Sequence, residues 1–251
     1  MEKKFIGFKL LYFLIISLII LTYIMIDYKT DYDSSCVKYS LMVIVCVYIF
    51  FIGLKNIIKK NDIKIYVLYL SAITFTLISD YFLLILDDYY HLALTTFIIA
   101  HLSYATLIYF SSSLMNKKWL IIEKSLILLV GIIVLIITRD LLNMLIVIYA
   151  LCLINNFIDS IILLVKTKEK YVLMLVIGFL LFMGCDICVL LSNLEMFMDV
   201  TSNIIKIERS AECIIWIFYG PSQVFLSLST NRGEEKWKRK YWIIVRQFYS
   251  L

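Results

Sequence analysis

"FTLISDYFLLILDDYYHLALTTFIIAHLSYATLIYF", Phe75 to Phe110, decides how the chain is read. It holds two apolar runs, each near the ~20 residues that cross a bilayer, parted by a short polar turn around Asp87 and Asp88. Asp80 lies inside the first run and His101 inside the second. An ionisable group costs about 2.5 kcal/mol or more in hydrocarbon, so one that is kept there faces the bundle interior and marks function.

Working outward, the whole chain has this character. Of 251 residues 63% are hydrophobic and 17% charged, with one proline and seven glycines, which excludes an ordinary water-soluble domain. Comparable apolar runs fall at about 8–26, 39–58, 63–86, 90–110, 119–137, 141–165, 171–191 and 209–229. The expected fold is all-α, an integral membrane bundle of eight transmembrane helices over residues 1–231, followed by a basic aromatic tail over 232–251. That tail, with Trp237, Tyr241 and Trp242 among its lysines and arginines, suits a segment lying on the anionic inner leaflet.

Basic residues collect on the cytoplasmic side of a membrane. Here they crowd the N-terminal flank, the connections near residues 59, 117 and 168, and the tail; only Lys29, Lys38, Arg139, Lys206 and Arg209 occupy the alternate gaps. Acidic residues such as Asp31, Asp87, Asp140 and Glu195 do the reverse. Both termini are therefore expected in the cytoplasm of a cell-membrane protein, and the net charge of +5 reports topology, not nucleic-acid binding. The first run has no small-x-small cleavage site after it and reads as an uncleaved span. Cys185 and Cys188 have redox spacing, but inside an apolar run they read as small buried residues.

"FTLISDYFLLIL" and "LFMGCDICVLLS" carry an aspartate at the same place, Asp80 and Asp186, 106 residues apart. Both runs would cross in the same direction, so the chain reads as two parallel four-helix halves. At ~1.5 Å per residue both acids lie roughly 10 Å below the outer surface, with His101 near the midplane. On the last span Glu212, Trp216, Tyr219, Gln223 and Ser227 share one face at ~100° per residue. Tyr104 lies one turn from His101, and Asn155 shares a face with Asp159, whose expected partner is Lys166 or water. Gly220-Pro221 is expected to kink its helix.

No phosphate loop, H-E-x-x-H or nucleophile elbow is present, and two histidines cannot build a three-histidine zinc site. Two carboxylates and a histidine suit acid/base hydrolysis, although the same set could hold a metal. "SDYFLL", "ALTTFIIAHLSY", "GFLLFMGCDICVLL" and "YGPSQVFLSLS", in that order, resemble the signature segments of the YhhN family of integral membrane proteins. The likeness covers roughly residues 63–229, with Ser79, Cys185 and Ala93 standing at positions where the family pattern has glycine, serine and glycine.

The resemblance implies eight spans and a lysoplasmalogenase-like activity: hydrolysis of the vinyl ether of a lysophospholipid to a fatty aldehyde and a glycerophospho-headgroup. It implies Asp80 and Asp186 as the catalytic pair, with His101, Tyr104 and Gln223 at other motif positions; Tyr219 and Glu212 of the polar stripe complete the candidate site. The implied partners are the lysophospholipid substrate and membrane lipids, with no cofactor and no metal. The alternatives are a proton-coupled transporter and a non-catalytic lipid-binding protein. Carriers tend to break their helices at the binding site, and Gly220-Pro221 is the one such candidate here.

Overall fold

The computed structural model describes residues 12, 14–23, 25–26, 34–58, 63–111, 117–193 and 202–231. The proposed tail at 232–251 lies outside them. Among the described residues the chain is helical throughout, with eight helices: α1 (Leu14–Tyr23), α2 (Ser35–Ile58), α3 (Ile63–Asp80), α4 (Tyr90–Ser111), α5 (Lys117–Thr138), α6 (Leu141–Thr167), α7 (Lys170–Leu191) and α8 (Ser202–Leu228). A π-helical stretch, Tyr81–Ile85, continues α3, and a 3-10 turn, Ser229–Asn231, closes α8.

Six of these are long and apolar enough to cross a membrane: Ser35–Leu54, Ile63–Ile85, Tyr90–Ser111, Ile121–Thr138, Leu141–Thr167 and Lys170–Leu191. The described apolar parts of α1 and α8, Leu14–Tyr23 and Ile214–Leu228, are shorter.

Where the connection is described, between α3 and α4, α5 and α6, and α6 and α7, a short turn brings the two helices side by side. Between α3 and α4, Asp87 and Tyr89 take left-handed backbone angles (φ 48° and 61°), and the Tyr89 N–H donates to the Asp88 carboxylate at 2.7 Å. Asp140 caps α6 by accepting the Leu142 N–H at 2.9 Å, and left-handed Lys168 (φ 52°) ends it. The most extensive pairings are α7 with α8 and α3 with α4, followed by α4–α6, α2–α3, α5–α6, α6–α7 and α2–α8.

Polarity is inverted relative to a water-soluble bundle. Large apolar side chains point outward, with Ile136 70% and Ile137 75% exposed on α5, while Asp80, His101, Asn156, Ser222, Gln223 and Ser227 are buried. Hydrocarbon solvates the first set, and the second can be satisfied only inside the bundle. Serines and threonines largely do so on their own helices: Thr76 donates to the Ala72 carbonyl, Ser222 to Tyr219 and Ser227 to Val224.

α8 runs from Ser202 to Leu228 through Pro221 without a break, so the expected kink does not interrupt the helix. Gly220 serves close approach instead: a Cβ there would stand 3.2 Å from the Tyr23 hydroxyl, which donates to the Trp216 carbonyl at 2.6 Å.

Candidate active site

Asp80 is the last residue of α3, at the point where the helix widens into its π-helical continuation. Such widenings often accompany functional positions, because the extra residue re-aims the side chains around it. Asp80 is only 3% exposed. The Tyr219 hydroxyl of α8 donates to both of its carboxylate oxygens at 2.8 Å. Beside it, Ser79 donates to the Ala93 carbonyl at 2.6 Å and locks α3 onto α4.

Asp186 lies on α7 and is half-buried. Tyr149 of α6 is among its polar neighbours. A chain of ring contacts, Tyr219 to Phe182 to His101 to Tyr149, links the hydrogen-bond partner of Asp80 to the α6 and α7 side of the bundle, where Asp186 lies. A third tyrosine, Tyr39 of α2, lies within electrostatic range of Asp80.

Aromatic rings close the cluster. Phe182, one turn below Asp186, packs edge-on against Tyr219 at 5.4 Å and against His101 at 5.4 Å. Trp216 stands edge-on to Tyr219 at 5.0 Å, and the Tyr149 ring lies 5.5 Å from Phe97 and 5.3 Å from His101. This wall is apolar, while Asp80 receives a hydroxyl. Cys185 and Cys188 are free thiols in the same helix.

His101 lies beneath this cluster and is held by Asn156 of α6, whose side-chain amide donates to the His101 carbonyl at 2.8 Å and faces Nδ1 at 3.3 Å. A donor at Nδ1 leaves the ring proton on Nε2, and Nε2 has no partner among the described residues. The buried Tyr104 hydroxyl and the Gln223 Oε1 are likewise without partners there. Buried polar atoms of this kind are the ones that take up water or a ligand. Trp216, Tyr219, Gln223 and Ser227 of the α8 stripe are all buried, whereas the Glu212 side chain falls outside the described residues.

Two features differ from the reading of the sequence. Asp159 accepts from Asn155 at 3.2 Å, but the basic side chain acting on it is Lys124 of α5, not Lys166. The reason is that α5 and α6 pack side by side, so a residue on the neighbouring helix comes nearer than one two turns along the same helix. Tyr149, which neighbours Asp186, and Asn156, which holds His101, were not singled out. With 18 tyrosines in the chain a further intramembrane tyrosine carries little signal, and Asn156 was overshadowed by its neighbour Asn155. Among the described residues no three histidine, cysteine, aspartate or glutamate side chains gather as metal ligands.

No curated protein and no solved structure matches the chain. A family model, that of the YhhN family, matches residues 33–230 and so takes in every helix from α2 to α8 together with both aspartates. With most of its length covered by that match, the chain belongs to the YhhN family.

Proposed function

We propose that this protein is a lysoplasmalogenase-like hydrolase that cleaves the vinyl ether of a lysophospholipid. The observation that carries the reading is Asp80, only 3% exposed on an apolar helix and accepting the Tyr219 hydroxyl at 2.8 Å, beside an aromatic wall to which Phe182 of α7, the helix that carries Asp186, contributes. A vinyl ether is cleaved by protonation of its outer alkene carbon, which leaves an oxocarbenium ion. One carboxyl group delivers that proton, and its ionised partner faces the cation and takes a proton from the attacking water, as paired carboxylates do in glycosidases. The hemiacetal then collapses to a fatty aldehyde and the glycerophospho-alcohol. His101, Tyr104 and Gln223 supply unpartnered buried polar atoms able to hold that water. The scheme draws on no metal or other cofactor, and its partners are the lysophospholipid and the surrounding lipid.

The same proposal takes the chain as eight spans in two parallel four-helix halves, with both termini in the cytoplasm of a cell-membrane protein. The helix pairings support the two related halves: α3–α4 and α7–α8 are the two most extensive contacts, α2–α3 is echoed by α6–α7, and α4–α6 by α8–α2. The unbroken passage of α8 through Pro221 speaks against a carrier with a split binding helix.

The test is to incubate purified protein with 1-alkenyl, 1-acyl and 1-alkyl lysophospholipids and to measure aldehyde. Release from the alkenyl lipid alone is expected; release from none of the three overturns the reading. Within the same assay, Tyr219→Phe is expected to lower turnover roughly 10- to 100-fold, because a hydrogen bond to a charged group is worth about 1.5–3 kcal/mol. The variant should keep the wild-type thermal midpoint to within a few degrees.

A further inference from the structure

The chain has two histidines. His91 is exposed in the first turn of α4, whereas His101, further along the same helix, is 2% exposed. The fully buried Asn156 of α6 sets the state of the second. Its side-chain nitrogen donates to the His101 carbonyl at 2.8 Å, and because a carbonyl can only accept, the amide is oriented with its nitrogen toward α4. The same nitrogen stands 3.3 Å from Nδ1 of the ring. Nδ1 therefore faces a donor and is the accepting nitrogen, which leaves the proton on Nε2. A proton on Nδ1 would set two N–H groups head to head, and a flipped ring would turn carbon to the amide.

Packing holds the ring in that pose. Tyr149 at 5.3 Å, Phe182 at 5.4 Å, Phe179 at 6.4 Å and Tyr104 at 6.5 Å surround it, centroid to centroid, from α4, α6 and α7. Nε2 is buried and has no partner among the described residues, and a buried donor is costly unless something accepts from it. Phe182 also packs at 5.4 Å against Tyr219, which donates to Asp80. One ring thus separates His101 from the tyrosine that holds Asp80.

We propose that Asn156 is a positioning residue that fixes His101 as its Nε2–H tautomer, so that His101 serves the reaction as a hydrogen-bond donor to the attacking water and not as the base. The reaction served rests on the hydrolase reading; the tautomer does not. A water that accepts from Nε2–H keeps both of its own protons, one of which goes to the ionised aspartate. Its second lone pair remains for the oxocarbenium carbon. A histidine acting as base would instead present a bare Nε2, which the Asn156 amide opposes.

The first measurement needs no turnover. Full-length protein in nanodiscs, carrying isotopically labelled histidine, is read by nitrogen NMR, and His91→Gln assigns the His101 signals. His101 is expected to show a protonated Nε2 and a bare Nδ1. Asn156→Leu should lose that preference and populate the Nδ1–H form. A wild-type ring with its proton on Nδ1, or a tautomer unchanged in Asn156→Leu, overturns the positioning role.

Hydrolysis of a 1-alkenyl lysophospholipid then separates donor from base. Glutamine places an amide N–H where Nε2–H stands, and asparagine places one where Nδ1 stands. His101→Asn and His101→Ala are expected to lower kcat about tenfold, the worth of one hydrogen bond, and His101→Gln to recover most of that loss. Affinity for a 1-alkyl lysophospholipid, which has no vinyl ether to cleave, should stay within about twofold in all three. His101→Gln as slow as His101→Ala would overturn the donor role, and weakened binding of the alkyl lipid would overturn the assignment to water in favour of a substrate oxygen. If wild type releases no aldehyde while the ring still carries its proton on Nε2, the hydrolase reading falls and the positioning of His101 by Asn156 stands.

Discussion

Asp80→Asn and Asp186→Asn are each expected to lower aldehyde release from a 1-alkenyl lysophospholipid by about a thousandfold, the scale on which positioned acid or base groups act. The proposed reaction needs a proton delivered to carbon and a charge kept beside the resulting cation, and an amide can do neither. The double variant should be scarcely worse than either single one, because residues that act as a unit lose their effect together. Structure should survive in both. Asparagine keeps the volume of aspartate, and at residue 80 its carbonyl oxygen can still accept the Tyr219 hydroxyl. Initial rates, read together with size-exclusion profiles and thermal midpoints, check this. Full activity in either single variant would remove that carboxylate from the chemistry.

Gly178→Leu is expected to have the largest effect on stability. A Cβ at Gly178 would lie 2.7 Å from the Leu226 Cγ and 3.1 Å from the Leu226 backbone nitrogen, so the side chain of α8 must move and the helix backbone behind it leaves little room. Overpacking of this kind costs about 1–3 kcal/mol, and a chain of this size loses roughly 2–4 °C of thermal midpoint for each kcal/mol. Activity should fall with it, since α7 carries Asp186 and Phe182 while α8 carries Trp216 and Tyr219. Gly53→Ala is the control. The nearest atom to its added Cβ is Tyr66 Cβ at 4.0 Å, and the helical gain of alanine over glycine is up to about 1 kcal/mol. A midpoint for Gly178→Leu equal to that of Gly53→Ala would show that α7 and α8 are not closely apposed there.

Asp80, Asp186 and His101 could be singled out from the sequence because charge within an apolar run is visible along one dimension. So could the stripe of Trp216, Tyr219, Gln223 and Ser227, since helical periodicity is a fixed rotation per residue. Tyr149 and Asn156 could not. Their types are ordinary for a span, and only the pairing of α6 with α4 and α7 turns one toward His101 and the other toward Asp186. The π-helical stretch after Asp80 was equally invisible, because "YFLLI" has no residue that marks a change of helical pitch.

By itself, then, the sequence determined that the chain is a bundle of long apolar helices with acids buried at two repeated positions. Both properties depend only on the order of residues, the rise of a helix and the cost of charge in hydrocarbon. That the Tyr219 hydroxyl meets the Asp80 carboxylate, that Lys124 and not Lys166 acts on Asp159, and that Asn156 reaches the His101 ring were decided by tertiary structure alone. Those contacts join different helices, and the rotation and pairing that create them come from close packing across the whole bundle.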